Sequence, residues 1–340
     1  MSRLELQVEG TRFTGFQRGT YQASMDSITS GFDIEYVVAS DKRPLLVGDK
    51  VLLLLDNKIL VDGWVESTGE DDLESEIRLR ATGRTVTGDL ADCTAPRKQY
   101  RNRLVSEIVK DLCAPYFIPV VVEGDEGERI ANYATQDSQI VGDAIVEVCK
   151  KRGLYAFSLE EALVLAQPGS RRTQTNLVRG IPPLMRTERT HSHYERFSEY
   201  HFNGSLPGRP GRRKKKTRIS TVLQDQEVAR YRPTVLSVPT DGPGDLQTRA
   251  AVLRNQTIGR SETIKVLVAG HTTREGYAWR PNLIVSLMND VVGASGDYIV
   301  STVRMVFGER EPDQTELELM RPQAYETGYF PPEKKRRRGL

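Results

Sequence analysis

Cysteine is scarce. Cys93, Cys113 and Cys149 are the only three in 340 residues, an odd and widely spaced set that excludes a disulfide framework and any CxxC metal clip. Free, mainly buried thiols are the expectation. Long apolar runs are also missing: they stop at five residues, as at Val51 to Leu55, against the ~20 a membrane helix needs. No membrane span is expected. The chain opens Met1-Ser2-Arg3 and then alternates, without the apolar core of a secretory signal, so synthesis and assembly in a cytoplasm are expected. Net charge is only +2, so the whole molecule has no field that demands nucleic acid. No P-loop, GxSxG, HExxH or dinucleotide fingerprint occurs, and Gly204, Gly208 and Gly211 are linker-like rather than phosphate-cradling.

What is present is an ordinary folding composition, 38% hydrophobic and 28% charged, in a chain long enough for two or three domains. Leu4, Leu6 and Val8 alternate with polar residues, as do Phe32, Ile34 and Tyr36, the period of half-buried strands. Val51–Leu55, then Asp56 and Asn57, then Ile59–Val65 predicts a tight hairpin, which Ile77, Leu79 and Ala81 extend. Residues 1–96 are expected to form a first β-barrel-like domain.

Beyond Pro96 the pattern changes. From Arg101, Leu104, Val105, Ile108 and Leu112 share a helical face, and Pro115 and Pro119 stop it. Ile118–Val122 reads as a strand. Asp137 is expected to cap a second helix carrying Ile140, Val141, Ala144, Ile145 and Val148, which Gly153 ends. Leu154–Phe157 and Leu163–Ala166 form a hairpin around Glu160 and Glu161. Residues 97–167 are thus a small α/β module. After Pro168, strands are expected near Glu199–Phe202, Arg218–Val222, Ile264–Val268, Leu283–Leu287, Tyr298–Phe307 and Thr315–Met320, with a short helix from Asp245 to Gly259, making 168–330 a second β-barrel-like domain. The fold class is α+β, mainly β: two β-barrel-like domains flanking a small α/β module.

Two segments stand apart. Residues 206–217 read LPGRPGRRKKKT, and 331–340 read PPEKKRRRGL. Neither has apolar periodicity, so both are expected to be exposed and flexible. Arg212, Arg213, Lys214, Lys215 and Lys216, with Lys334, Lys335, Arg336, Arg337 and Arg338, are the candidate partner-binding residues. They lack interleaved aromatics, so base stacking is not signalled, although phosphate neutralisation is chemically open to them.

Several motifs together resemble the baseplate hub proteins of Mu-like contractile phages, the late control protein D-like family. Val47-Gly48-Asp49-Lys50-Val51 and Asp62-Gly63-Trp64-Val65 resemble its paired strands. Gly83-Arg84-Thr85 with Gly88-Asp89-Leu90-Ala91-Asp92-Cys93-Thr94 resembles its most specific signature. Val109 to Pro115, Arg230-Tyr231-Arg232-Pro233, Trp279-Arg280-Pro281-Asn282, Tyr298-Ile299-Val300 and Thr315 to Leu319 add to it, and the resemblance covers nearly the whole chain. The basic segments at Arg212 and Lys334 lie outside the pattern.

The resemblance implies a homotrimer in which two similar barrel domains per chain make a pseudo-sixfold ring around a channel, joining a tail tube to a central spike. The implied partners are the spike protein, tail tube or tube-initiator proteins, baseplate wedge proteins and the tape measure protein, with DNA passing through the channel without sequence-specific binding. The implied location is the virion tail baseplate, with the spike as a separate polypeptide.

His191 and His193 form an HxH pair, but no carboxylate or cysteine follows at ligand spacing. Asp89, Asp92 and Cys93 have no local base; the acids are expected to cap backbone donors and the thiol to pack in the core. Trp64 and Trp279 are either interface anchors or core. The reading is a non-enzymatic structural hub without cofactor or metal; the alternative is a tail-associated cell-wall hydrolase or a nucleic-acid-binding tail protein.

Overall fold

A computed structural model describes residues 4–8, 10–14, 16–37, 44–73, 76–206, 217–238, 243–309 and 312–327. The basic runs Arg212–Lys216 and Lys334–Arg338 lie outside the described residues. The fold is mostly β, 50% strand and 17% helix, as expected for α+β, mainly β. No helix is long and apolar enough to cross a membrane. The chain divides into two compact units: the first takes Met1–Glu188 and Lys265–Leu319, the second Arg189–Ile264 and Met320–Phe330.

The first unit is dominated by one large sheet. Its hairpin Lys50–Leu55 and Lys58–Leu73 turns through Asp56 and Asn57 at φ 49° and 64°, the left-handed pair that a two-residue turn between right-twisted strands requires. Alternation does the rest: Val51, Leu53, Val61 and Val65 are buried. At Gly83 the strands approach so closely that a Cβ would sit 2.3 Å from the Trp64 carbonyl oxygen, which excludes any side chain.

Sheet order reveals a repetition. Strands Arg18–Ser24, Gly31–Tyr36, Lys50–Leu55, Lys58–Leu73 and Glu76–Thr85 lie in the order first, second, fifth, fourth, third. Strands Leu184–His191, Glu262–Ala269, Leu283–Asn289, Ala294–Phe307 and Gln314–Met320 lie in the same order. The two sets meet where Arg18–Ser24 pairs antiparallel with Thr302–Phe307. Strands from the first and third expected segments therefore share one sheet, a pairing across more than 270 residues that local periodicity does not encode. Among the described residues the sheet's path stays open at both ends, with no closed barrel.

The α/β module packs helices Val105–Cys113 and Val141–Lys150 with a sheet ordered Tyr155–Leu159, Ala162–Ala166, Val120–Glu123. Ile108, Leu112, Ala144, Ile145, Val148 and Leu163 form its core. Two local expectations need correction. Gln99–Arg103 is a strand paired with Ile130–Ala134, and the helix starts only at Val105, where Glu107 accepts from the Leu104 backbone N–H at 3.1 Å. Asp137 does not cap the second helix, which begins after Ile140; it lies 3.5 Å from Arg97 instead.

In the second unit a sheet ordered Thr217–Gln224, Glu199–Leu206, Pro233–Ser237 packs Tyr200 and Phe202 with Leu246 and Ala250 of helix Pro243–Arg260. That helix is longer than the sequence pattern indicated.

Candidate interaction surfaces and buried polar centres

The recognised motifs turn out to be joints. In the first unit, Arg280 of the Trp279-Arg280-Pro281-Asn282 run holds Glu123 with both terminal nitrogens, at 3.0 and 2.9 Å. Arg171 reaches the same carboxylate at 2.9 Å. Two guanidinium groups on one buried carboxylate satisfy a charge that would otherwise be costly to bury. Asn282, at φ 66°, accepts from the Gly169 N–H at 2.6 Å and donates to the Gln167 carbonyl at 2.9 Å, so it fixes the turn after the module. Trp279 is 1% exposed and Trp64 38%: the first is core, the second a half-open surface ring under Lys50.

The Gly83-to-Thr94 signature builds a second joint. Thr85 and Thr87 hydroxyls lie 2.7 Å apart, and Ser158 of the module donates to Thr85 at 3.0 Å. Ser30 donates through its hydroxyl to the Ser158 carbonyl at 3.3 Å. These hydroxyls bond one another and backbone carbonyls, an arrangement that positions chains and offers no nucleophile with a base. Arg84 pairs with Glu66 and with Asp92, which corrects the expectation that Asp92 caps backbone donors. Cys93 is half-buried against the module core. Cys113 and Cys149 are buried, and burial pushes the Cys113 thiol up to about 12, so it is unreactive at neutral pH.

A third joint was not legible from spacing. Burial works to raise the Glu275 carboxyl, but the Gln174 backbone N–H and the Thr173 and Tyr277 hydroxyls outweigh it and hold the group at about 2. His271, 1% exposed, contacts Thr315 at 3.1 Å through Nδ1 and Asp313 at 3.6 Å through Nε2; burial lowers its pKa, with Asp313 opposing.

In the second unit, His191 and His193 rings meet edge to face at 5.1 Å. Arg196 donates to His191 Nε2 at 3.2 Å. Arg196 is 2% exposed and grips Asp225 at 2.8 and 2.9 Å, with Glu227 at 2.7 Å. Among the described residues no group of three or more His, Cys, Asp or Glu side chains is arranged to hold a metal. Arg232 of the Arg230-to-Pro233 run stacks on Phe197 at 5.1 Å and donates to the Tyr194 carbonyl.

Two kinds of surface stand open. An open groove of about 640 Å³ crosses the first unit's sheet, lined by Thr20, Gln22, Asp33, Lys265, Arg304 and Glu318 among others, polar and of mixed charge. Isolated apolar side chains also project, most of all Phe117, 93% exposed after the Ala114–Tyr116 turn.

Comparison with known proteins fits this picture. Residues 87–165 match the family described as baseplate hub protein gp44-like, second domain, and residues 243–328 match the fourth domain of the Mu phage baseplate assembly protein GpP. The baseplate hub protein gp44 of Escherichia phage Mu is 26% identical over 329 residues, covering 92% of this chain and 86% of that protein. The fold is shared with the 43 kDa tail protein of prophage MuSo2 from Shewanella oneidensis, at TM-score 0.83 and 20% identity over 96% of this chain and 99% of that one. It is shared also with a tail protein from Neisseria meningitidis MC58, at TM-score 0.80 and 22% identity over 95% and 99%. Motifs that resemble one family, two family matches along the chain and a relative spanning nearly all of it agree in supporting a Mu-like baseplate hub protein.

Proposed function

We propose that the chain is a non-enzymatic homotrimeric hub of a contractile tail baseplate, whose work is geometric. The observation that carries this is the twice-built five-strand order in the large sheet, since three copies of such a chain supply six like elements from one polypeptide. Its buried polar groups support the same reading: Arg280, Asn282, Thr85 and Ser158 hold segments together and leave no paired acid and base. The ring would join the tail tube, or its initiator, to a separate spike protein around an open channel, flanked by wedge proteins and contacted by the tape measure protein. DNA would pass without sequence-specific contact, and assembly would take place in the cytoplasm of the host before the hub enters the virion.

The test is the copy number in isolated tails, by native mass spectrometry or particle reconstruction. Three copies on the tail axis are expected; six copies, or one copy off the axis, would sink the proposal. The hydrolase alternative predicts glycan cleavage by the purified protein, and none is expected.

A further inference from the structure

A cavity of about 350 Å³ opens in the first unit where the last hairpin of the α/β module meets the large sheet. Leu60, Leu159, Leu283, Tyr21, Trp279 and Tyr277 make its apolar walls, with charged side chains among them. The Trp279 indole N–H in that wall is buried and has no hydrogen-bond partner among the described residues. A recess of this size and lining takes a small ligand or an anchoring side chain, and a few polar groups decide which.

The charged groups divide by what they already hold. Arg280 gives both terminal nitrogens to Glu123, and Arg172 gives its own to Asp297 and Ser286. Arg171 places one terminal nitrogen on Glu123, its side chain is 57% exposed, and it has no further hydrogen-bond partner among the described residues. A guanidinium carries five N–H donors, so several remain. Glu160 has neither hydrogen bond nor ion pair among the described residues. It stands at φ 55° in the two-residue turn between Tyr155–Leu159 and Ala162–Ala166, a left-handed position where Asn, Asp or Gly is the unstrained choice. A backbone bridge to Val61 holds it there, so the chain keeps a carboxylate at the cavity against its own turn preference.

We propose that this cavity receives an apolar side chain of a peptide segment from another tail protein, with the segment's backbone amide held by Glu160 and Arg171. The unfilled groups are one acceptor, the Glu160 carboxylate, and the spare donors of Arg171. A backbone amide offers the complementary N–H and C=O. A purely cationic or anionic occupant satisfies one of the two and meets the like charge of the other. An apolar side chain instead covers the leucine and aromatic walls without burying a polar group of its own. The choice of a tail protein as the source rests on the hub reading, in which this chain works by holding other chains; the site itself does not depend on it.

The probes are the N-acetyl methylamides of phenylalanine and leucine, set against those of lysine and aspartate. With Trp64→Phe in the full-length protein, Trp279 is the one tryptophan left, and its fluorescence reports occupancy. Both apolar amides should bind saturably with Kd on the order of millimolar, and the charged ones at least about tenfold more weakly. Glu160→Ala should weaken the apolar amides about tenfold. Ala278→Leu, which fills the cavity from its lining, should abolish their binding while circular dichroism shows the parent fold; if it does not fold, Glu160→Ala and the charged amides decide. No saturable binding of either apolar amide, or equal binding of a charged one or by folded Ala278→Leu, overturns the site. Tails assembled with Ala278→Leu should keep this chain at its parent copy number and lose another protein; an unchanged composition overturns the assignment to a tail partner. A chain missing from parent tails refutes the hub reading and leaves the amide result standing by itself.

Discussion

Arg280 and Glu123 are separated by 157 residues in sequence and bonded through both guanidinium terminal nitrogens. Neither side chain is more than 12% exposed. Removing the cation alone strands a buried carboxylate, so Arg280→Ala should cost about 3 kcal/mol, at the low end for a broken buried pair because Arg171 still faces Glu123. Denaturant unfolding checks this. Adding Glu123→Gln to Arg280→Ala should return part of the loss, because the unpaired charge is then gone.

His271 makes stability depend on pH in a defined direction. Its folded pKa lies below the ordinary value of ~6.5 because burial disfavours the imidazolium, with Asp313 and Asp56 opposing. As pH falls below about 6.5 the unfolded chain takes up a proton that the folded chain refuses, so stability drops, by at most about 1.4 kcal/mol per pH unit from this group. Above that pH its contribution is constant. Melting temperature measured from pH 8 to 5 should fall less steeply in His271→Gln than in the parent; parallel curves would refute the assignment.

Cys93→Ala should weaken folding by about 1–2 kcal/mol at most and remove no chemical activity, since a half-buried thiol acts as a small apolar group. An activity lost while the fold survives would contradict the non-enzymatic proposal.

For the basic runs Arg212–Lys216 and Lys334–Arg338, the proposal is electrostatic attachment to acidic neighbouring tail proteins. Adjacent cations repel by roughly 1 kcal/mol per close pair in water, and an acidic partner relieves that repulsion, with attraction screened over ~10 Å at 0.1 M salt. Replacing each run by Ser and Gly should leave the melting temperature of the isolated protein unchanged and lower its incorporation into tails. Normal incorporation would mean the runs are only solvated charge.

Local chemistry was legible where it has a period or a turn. Asp56 and Asn57 marked their hairpin, and the stripe from Val105 to Leu112 marked its helix. Arg18–Ser24 escaped notice because Gly19 and Ala23 give its buried face little apolar contrast around Tyr21. Leu184–His191 escaped because it is largely exposed, so no alternation is demanded of it. The joints at Glu123, Thr85 and Arg196 were invisible for another reason: each gathers polar residues that are unremarkable singly and meaningful only once distant segments converge.

The five-strand repetition differs between its two copies in one connection. From first strand to second, the chain uses residues 25–30 in one copy and residues 192–261 in the other, and this second stretch is most of the second unit. Around a ring of three chains, six equivalent stations would then alternate between bare and decorated. In the proposed trimer, a neighbour that reads only the sheets would meet six like sites, while one that reads the insertions would meet three, so a single insertion point would let one gene product present two different rotational patterns.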